Sequence, residues 1–265
     1  MNTTIDATEL AARRAGEVLA SVPAALITDI DGTISAIVSR PEEAVVTDDV
    51  RRSLEALSSR LAMVAVVTAR EEAVARRMVG VDSLTYVGNY ALDGSARSGD
   101  GPVSFGPLLL AIRPMLDELP CVTIEEKGIG VSFHYRNCEE DDARERLLAA
   151  LTPLATAAGM HAIEGKQVVE LVPAGLPDKG AAIAQLIESH SITGIVYLGD
   201  DLSDIPVFEE ISRRRLEEDL PGIGIAVVDG ETPQAVRDAA DLEIAGVEAV
   251  TQLLARLVGM LTDGG

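Results

Sequence analysis

Two aspartates one residue apart stand in the sequence Leu26-Ile27-Thr28-Asp29-Ile30-Asp31-Gly32-Thr33, and a glycine follows where the backbone can turn sharply. That spacing suits phosphoryl transfer. One carboxylate can attack phosphorus while helping to bind a magnesium ion; the next can protonate the departing alcohol and later activate water on the aspartyl-phosphate. Magnesium takes an octahedron of oxygen ligands and leaves several positions to water and substrate phosphate. An Asp-x-Asp pair in a surface turn also serves as a solvated or capping element, so the pair alone does not decide the matter. A second acidic cluster, Gly199-Asp200-Asp201-Leu202-Ser203-Asp204, follows another apolar run. Three crowded carboxylates are unfavourable unless a cation is present, which makes Asp200 the preferred direct ligand, while Ser203 and Asp204 also suit helix capping. Thr68-Ala69-Arg70 and Lys179-Gly180 add a hydroxyl and an ammonium that can bind phosphate oxygens, although such residues also cap helices or face solvent.

These groups need elements to bring them together. Apolar runs at Ala24–Thr28, Leu61–Val67, Ile195–Leu198 and Gly224–Val228 each end abruptly in polar residues. Continuous apolarity marks strands covered on both faces, and helical stretches at Asp48–Ser59, Glu71–Val79, Lys179–Ser189 and Thr232–Ala239 supply the crossovers of a parallel sheet. The expectation is an α/β, doubly wound core. Ligands bind beyond the carboxyl ends of such strands, where Asp29, Thr68 and Asp200 emerge. From Phe105 to Pro173 the pattern changes: short segments at Cys121–Glu125, Gly130–Arg136 and Gln167–Val172 surround a helix from Glu140 to Ala158, predicting a small α+β insert. Its flanks, Ser95–Gly101 and Pro173–Pro177, are rich in Gly, Pro and Ser and read as hinges that let the insert close over a substrate.

Composition narrows the function. With 43 acidic against 22 basic residues the formal charge is -21, which disfavours nucleic acid and anionic membranes as partners. The first twenty residues carry Asp6, Glu9, Arg13, Arg14 and Glu17 and read as an amphipathic helix rather than a signal peptide; no later run reaches membrane-spanning length. Cys121 and Cys138 form no CxxC or metal cluster and read as free thiols. A soluble cytoplasmic protein acting on a small molecule is expected.

In order along the chain, Asp29-Ile30-Asp31-Gly32-Thr33, Thr68, Lys179, and Gly199-Asp200-Asp201 with Asp204 resemble the four motifs of the haloacid dehalogenase superfamily of phosphatases, over about residues 20 to 245. The resemblance implies a doubly wound core from residues 1–100 and 175–265 and an inserted α+β cap at 101–174. It implies that Asp29 is the nucleophile and Asp31 the general acid/base, with Thr68 and Lys179 on the phosphoryl group. It also implies Mg2+ as cofactor, with Asp29, the Asp31 carbonyl and Asp200 as ligands, Asp201 a further metal candidate, and Asp204 supporting the metal shell or the lysine.

Within the superfamily the chain is most similar to trehalose-6-phosphate phosphatases, through Asp29–Val38, Gly88-Asn89, Glu125–Gly128, Phe133–Arg136, Gly165–Glu170 and Gly199–Phe208. The likeness carries Lys166 and Glu170 over as sugar-binding candidates, although a cross-strand ion pair would also explain them. Arg70, Asn89 and Lys127 are further substrate-binding candidates at the cleft rim, or solvated. His134, in an alternating strand, reads as structural. The chain departs from the family at Tyr90-Ala91, where His-Gly is common, at Val172, where Arg is common, and at Ser203-Asp204-Ile205, where a TDE segment is usual. Trehalose 6-phosphate is therefore the first expected substrate, ahead of mannosyl-3-phosphoglycerate or sucrose phosphate. A non-catalytic sugar-phosphate sensor and a partner subunit of a trehalose-phosphate synthase are the readings from another class, and a mutase is disfavoured because its cap is usually small and helical.

Overall fold

The computed structural model describes residues 6–38, 40–88, 105–127, 130–140, 142–217 and 220–263. In chain order its elements are helix α1 (Ala7–Leu19), strand β1 (Ala24–Thr28), α2 (Asp48–Ser58), β2 (Met63–Val67), α3 (Glu72–Val79), β3 (Thr85–Val87), α4 (Gly106–Glu118), β4 (Thr123–Lys127), β5 (Gly130–His134), α5 (Ala143–Ala157), β6 (Met160–Gly165), β7 (Val168–Pro173), α6 (Lys179–Ser189), β8 (Gly194–Gly199), α7 (Ile205–Glu217), β9 (Gly222–Val228), α8 (Gln234–Ala239), β10 (Leu242–Ala245) and α9 (Gly246–Asp263). They divide into two compact units, Met1–Ala91 with Pro177–Gly265, and Leu92–Leu176.

The first unit holds a six-stranded sheet in the order β10-β9-β8-β1-β2-β3, with every pairing parallel. The chain winds outward from β1 to β3, then resumes at β8 on the other side of β1. The sheet therefore has its switch point between β1 and β8, where an open α/β sheet leaves a crevice at its carboxyl edge. All five residues of β1 are buried because successive side chains enter different layers. Leu26 joins Val64, Val66, Val196 and Leu198 against α1, α2 and α9, through residues such as Ala15, Leu54 and Leu253. Ala25 and Ile27 join Ala65 and Tyr197 against α6 and α7, through Ile183 and Phe208. Each aliphatic side chain buried this way contributes roughly 1.5–3 kcal/mol, so the two apolar layers, not the surface ion pairs, hold the sheet.

The second unit is a four-stranded antiparallel sheet, β4-β5-β7-β6. Val131 and Phe133 of β5 and Val169 and Leu171 of β7 pack with Ile112 of α4 and Leu147 and Leu151 of α5. The sequence reading places one helix here; the described residues hold two, α4 and α5. Pro114 sits inside α4, a residue that ordinarily interrupts a helical pattern. The free-thiol expectation is also corrected, since Cys121 and Cys138 are joined in a disulfide with Cα atoms 5.0 Å apart. The pairing of Thr123 with His134 brings the two flanks together, and that register cannot be read from a spacing of 17 residues.

Candidate active site

Three neighbouring strands of the parallel sheet deliver the site. Thr28 lies level with Val66 of β2 and Leu198 of β8, so Asp29, Thr68 and Asp200 leave the sheet at one edge. The backbone N–H of Asp29 still bonds to Leu198 O at 2.9 Å, and that of Thr68 to Val87 O at 2.9 Å, which anchors both residues to the sheet. Gly32 then turns the chain with φ of 80°. A Cβ there would stand 1.9 Å from Asp200 Oδ2, so only glycine lets the turn pass beside that carboxylate. Thr33 Oγ1 donates to Asp200 Oδ1 at 3.0 Å, tying the turn to the end of β8.

Lys179 arrives from another element. Asp178 caps α6 by accepting from Ala181 N at 2.8 Å, and Lys179 is the first residue inside that helix. Its side chain is buried, and Nζ donates to Asp29 Oδ2 at 2.8 Å and to Asp204 Oδ1 at 2.7 Å. Asp204, in the short 3-10 turn Leu202–Asp204, also accepts from Tyr197 Oη at 2.6 Å through Oδ1. Its Oδ2 accepts from the backbone N–H groups of Asp200 at 2.8 Å and Asp201 at 2.9 Å. Burial pushes the Asp29 carboxyl up from 3.8 to about 7, with Lys179 opposing and the carboxylates of Asp204 and Asp31 reinforcing the rise. Burial would lower the Lys179 ammonium, but Asp204 and Asp29 outweigh it and hold the group charged. Burial, then Asp204 and Asp29, raise the Tyr197 phenol well above its usual range, so it is a hydrogen-bond donor here.

Among the described residues, Asp29, Asp200 and Asp204 offer carboxylate oxygens that lie within 4.8 Å of one another, all buried. Lys179 alone does not balance three such groups, and an all-oxygen donor set suits a hard divalent cation. The cradle that Gly32 keeps open beside Asp200 fits the same conclusion. Both oxygens of Asp204 already accept two hydrogen bonds each, so Asp29 and Asp200 are the carboxylates placed to hold a cation directly. Asp31 and Asp201 stand outside that group. Asp201 forms a reciprocal capping box with Asp204, and Asp31 is gripped by Arg70, with Nε 2.6 Å from Oδ2 and Nη2 2.8 Å from Oδ1. Arg70 also donates to Pro41 O at 3.1 Å.

The remaining sequence candidates scatter. Asn89 and Tyr90 lie outside the described residues. Lys127 closes β4 opposite Gly130, and its side chain lies outside the description as well. Lys166 occupies the β6–β7 turn, where its carbonyl accepts from Arg136 Nη2 at 3.3 Å. Glu170 is buried in β7 and accepts from Ser132 Oγ at 3.0 Å, a cross-strand hydrogen bond. His134 pairs with Glu125 at 3.0 Å. Thr33 and Tyr197 are the site residues that sequence reasoning missed. Tyr197 carries the one polar tip in the apolar run Ile195–Leu198, and that tip was the available signal.

A family model described as trehalose-phosphatase matches residues 27–100 and 111–242, spanning every motif above. The chain belongs to the trehalose-phosphatase family. Two curated relatives illustrate its range. An uncharacterized glycosyl hydrolase of Mycobacterium tuberculosis is 32% identical over 249 residues, covering 88% of this chain but 18% of the relative. A trehalose-phosphate phosphatase of the same species is 30% identical over 204 residues, covering 71% of this chain and 51% of the relative. The chain thus spans about half the length of the trehalose-phosphate phosphatases it matches. Among solved structures, the C-terminal domain of a Candida albicans trehalose-6-phosphate phosphatase superposes with a TM-score of 0.78 at 19% identity, covering 95% of this chain and 96% of that one. A haloacid dehalogenase-like hydrolase from Bacteroides thetaiotaomicron gives 0.58 at 12% identity, covering 88% and 98%. At those identities the likeness is one of fold, a haloacid dehalogenase-like core with an inserted second unit. Two places where this family member departs from the usual family sequence take apolar surroundings: Val172 is buried in β7, and Ile205 packs at the start of α7.

Proposed function

We propose that this chain hydrolyses a sugar phosphate, trehalose 6-phosphate first, through an aspartyl-phosphate on Asp29 with Mg2+ as cofactor. The observation that carries the reading is the buried Lys179 ammonium bridging Asp29 and Asp204 beside Asp200, an arrangement that can neutralise a phosphoryl group as charge builds on its oxygens. A carboxylate oxygen of Asp29 attacks phosphorus, the ester P–O bond breaks, and the departing sugar oxygen takes a proton from Asp31. Asp31 then removes a proton from water, whose oxygen attacks the phosphorus and breaks the bond to Asp29, releasing inorganic phosphate. Mg2+, held by Asp29, Asp200 and the Asp31 carbonyl, would shield the negative charge of substrate and nucleophile from each other. Thr68, buried at the end of β2, and Lys179 bind the phosphoryl oxygens. Lys166 and Glu170, with Asn89 and Lys127, are the proposed sugar-side residues.

A second reading keeps the chemistry and changes the sugar. It is favoured by Val172, buried and apolar where the family commonly has Arg, and points to another phosphorylated glycoside such as mannosyl-3-phosphoglycerate or sucrose phosphate. A trehalose-phosphate synthase is the partner this function names, since its product is the proposed substrate. A cytoplasmic site of action belongs to the same reading. No helix among the described residues is long and apolar enough to cross a membrane, and under that reading the Cys121–Cys138 bond forms only where the compartment is oxidising enough to keep it. Phosphate release from a panel of sugar phosphates, with Mg2+ and with chelator, tests the proposal. The expected result is metal-dependent turnover led by trehalose 6-phosphate and abolished in Asp29→Asn, whose amide is a poor nucleophile of similar shape; turnover retained by that variant would overturn the mechanism.

A further inference from the structure

One hydroxyl in the buried site takes no part in the chemistry above. Tyr197 lies on β8 with no exposed surface, its ring edge-on to Phe208 with 5.7 Å between centroids. Its Oη donates to Asp204 Oδ1 at 2.6 Å, and the same oxygen accepts from Lys179 Nζ at 2.7 Å. The other oxygen accepts from the backbone of Asp200 and Asp201. Four donors therefore converge on one carboxylate, from β8, from α6 and from the loop that carries Asp200. Three belong to the phosphate lysine or to that acidic loop; the fourth is Tyr197. A carboxylate whose Oδ1 is held from two different elements cannot turn about its Cβ–Cγ bond without losing one of them.

We propose that Tyr197 is a positioning residue for the phosphoryl-transfer step. Its hydroxyl anchors Asp204 Oδ1 to β8, and that oxygen in turn holds Lys179 where the ammonium meets Asp29 and the phosphoryl group. Tyr197 itself touches neither nucleophile nor substrate. The inference rests on the phosphatase reading above. Once the hydroxyl is gone, the backbone of Asp200 and Asp201 still holds Oδ2, but Oδ1 loses its tie to β8 and keeps only Lys179, so the ammonium spends less time at the position that the transition state requires. The loss then falls on the transition state more than on bound substrate or product, because charge on the equatorial oxygens is greatest there.

Tyr197→Phe removes the donor and keeps the ring. Phe208→Leu, in contrast, disturbs the ring's packing and keeps the donor. For Tyr197→Phe we expect kcat on the preferred sugar phosphate to fall about tenfold with KM changed less than about twofold. Inhibition by orthovanadate, a mimic of the five-coordinate phosphorus, should weaken about tenfold, whereas inhibition by inorganic phosphate should move less than about twofold. Phe208→Leu should lower the melting temperature without this split. Should Tyr197→Phe lose its thermal transition, Tyr197→Met tests the same donor loss with a flexible apolar filler. Equal weakening toward vanadate and phosphate, an unchanged kcat, or the same split in Phe208→Leu would overturn the inference. An unmodified chain that releases phosphate from no ester refutes the phosphatase reading, and this inference with it, before any variant is made.

Discussion

Asp31 gives both of its oxygens to one guanidinium. The fork from Arg70 sets the plane of the carboxylate, and such two-pronged pairs are among the stronger hydrogen-bonded contacts available to a side chain. In the proposed mechanism Asp31 loosens one of those contacts to protonate the leaving alcohol, which gives Arg70 a role through Asp31 besides the phosphate contact expected from sequence. Leaving groups separate the two roles. Arg70→Gln should lower kcat/KM for an alkyl ester such as trehalose 6-phosphate by ~10²-fold, the scale of general acid catalysis, and lower that for p-nitrophenyl phosphate, whose phenolate leaves unaided, much less. Equal losses would make Arg70 a phosphate ligand alone. Asp29 makes a different prediction, about stability. With its carboxyl raised to about 7 in the metal-free fold and near 3.8 in the unfolded chain, the folded state holds the extra proton between those values. Its contribution is fully present below about pH 4 and is lost as pH rises through about 7. In chelator, the melting temperature of the natural chain should therefore decline from pH 5 to 7.5 more steeply than that of Asp29→Asn, and Mg2+ should restore most of it at the upper end. Identical slopes in the two proteins would remove Asp29 as the titrating group.

At the scale of elements, the sequence announces the site because the strands announce themselves. Ala24–Ile27 and Ile195–Leu198 are continuous apolar runs with an aspartate two residues beyond, the pattern of a strand buried on both faces that ends at a polar edge. Gly32 after Asp-x-Asp signals the turn. What stays hidden depends on partners far away in sequence. The Arg70–Asp31 pair joins residues 39 apart, and the hydroxyl of Tyr197 points to a carboxylate whose orientation a 3-10 turn decides. The antiparallel unit is harder still, since half-buried strands carry weaker patterns and α4 contains Pro114. The Cys121–Cys138 bond belongs to this hidden class. It closes a 17-residue span across the β4–β5 pair, and a loop of that size adds about 3 kcal/mol by restricting the unfolded chain. Reduction, or Cys121→Ser, should cost stability of that order in urea titrations of the whole chain. A reductant that leaves the curve unchanged would mean that the two thiols are not joined in solution.

For the molecule as a whole, most of the charge of -21 lies outside the buried core, while Asp29, Lys179, Asp200 and Asp204 keep their charges buried. The acidic exterior repels anions at long range, so a phosphorylated ligand finds its attraction only at short range, beside Lys179 and a bound cation. The parallel sheet also fixes the order in which a newly made chain can become whole. β1 pairs with β8, and Lys179 meets Asp29 across 150 residues of sequence, with the complete antiparallel unit lying between. A ribosome therefore finishes the inserted unit while β1 still lacks the strand on its other side. During that interval an apolar strand with one unpaired edge is exposed to other nascent chains, the condition under which folding intermediates aggregate. The insertion that separates the second motif from the third thus delays closure of the centre of the sheet until β8 is made, and leaves the strand that carries Asp29 with an open edge for that interval.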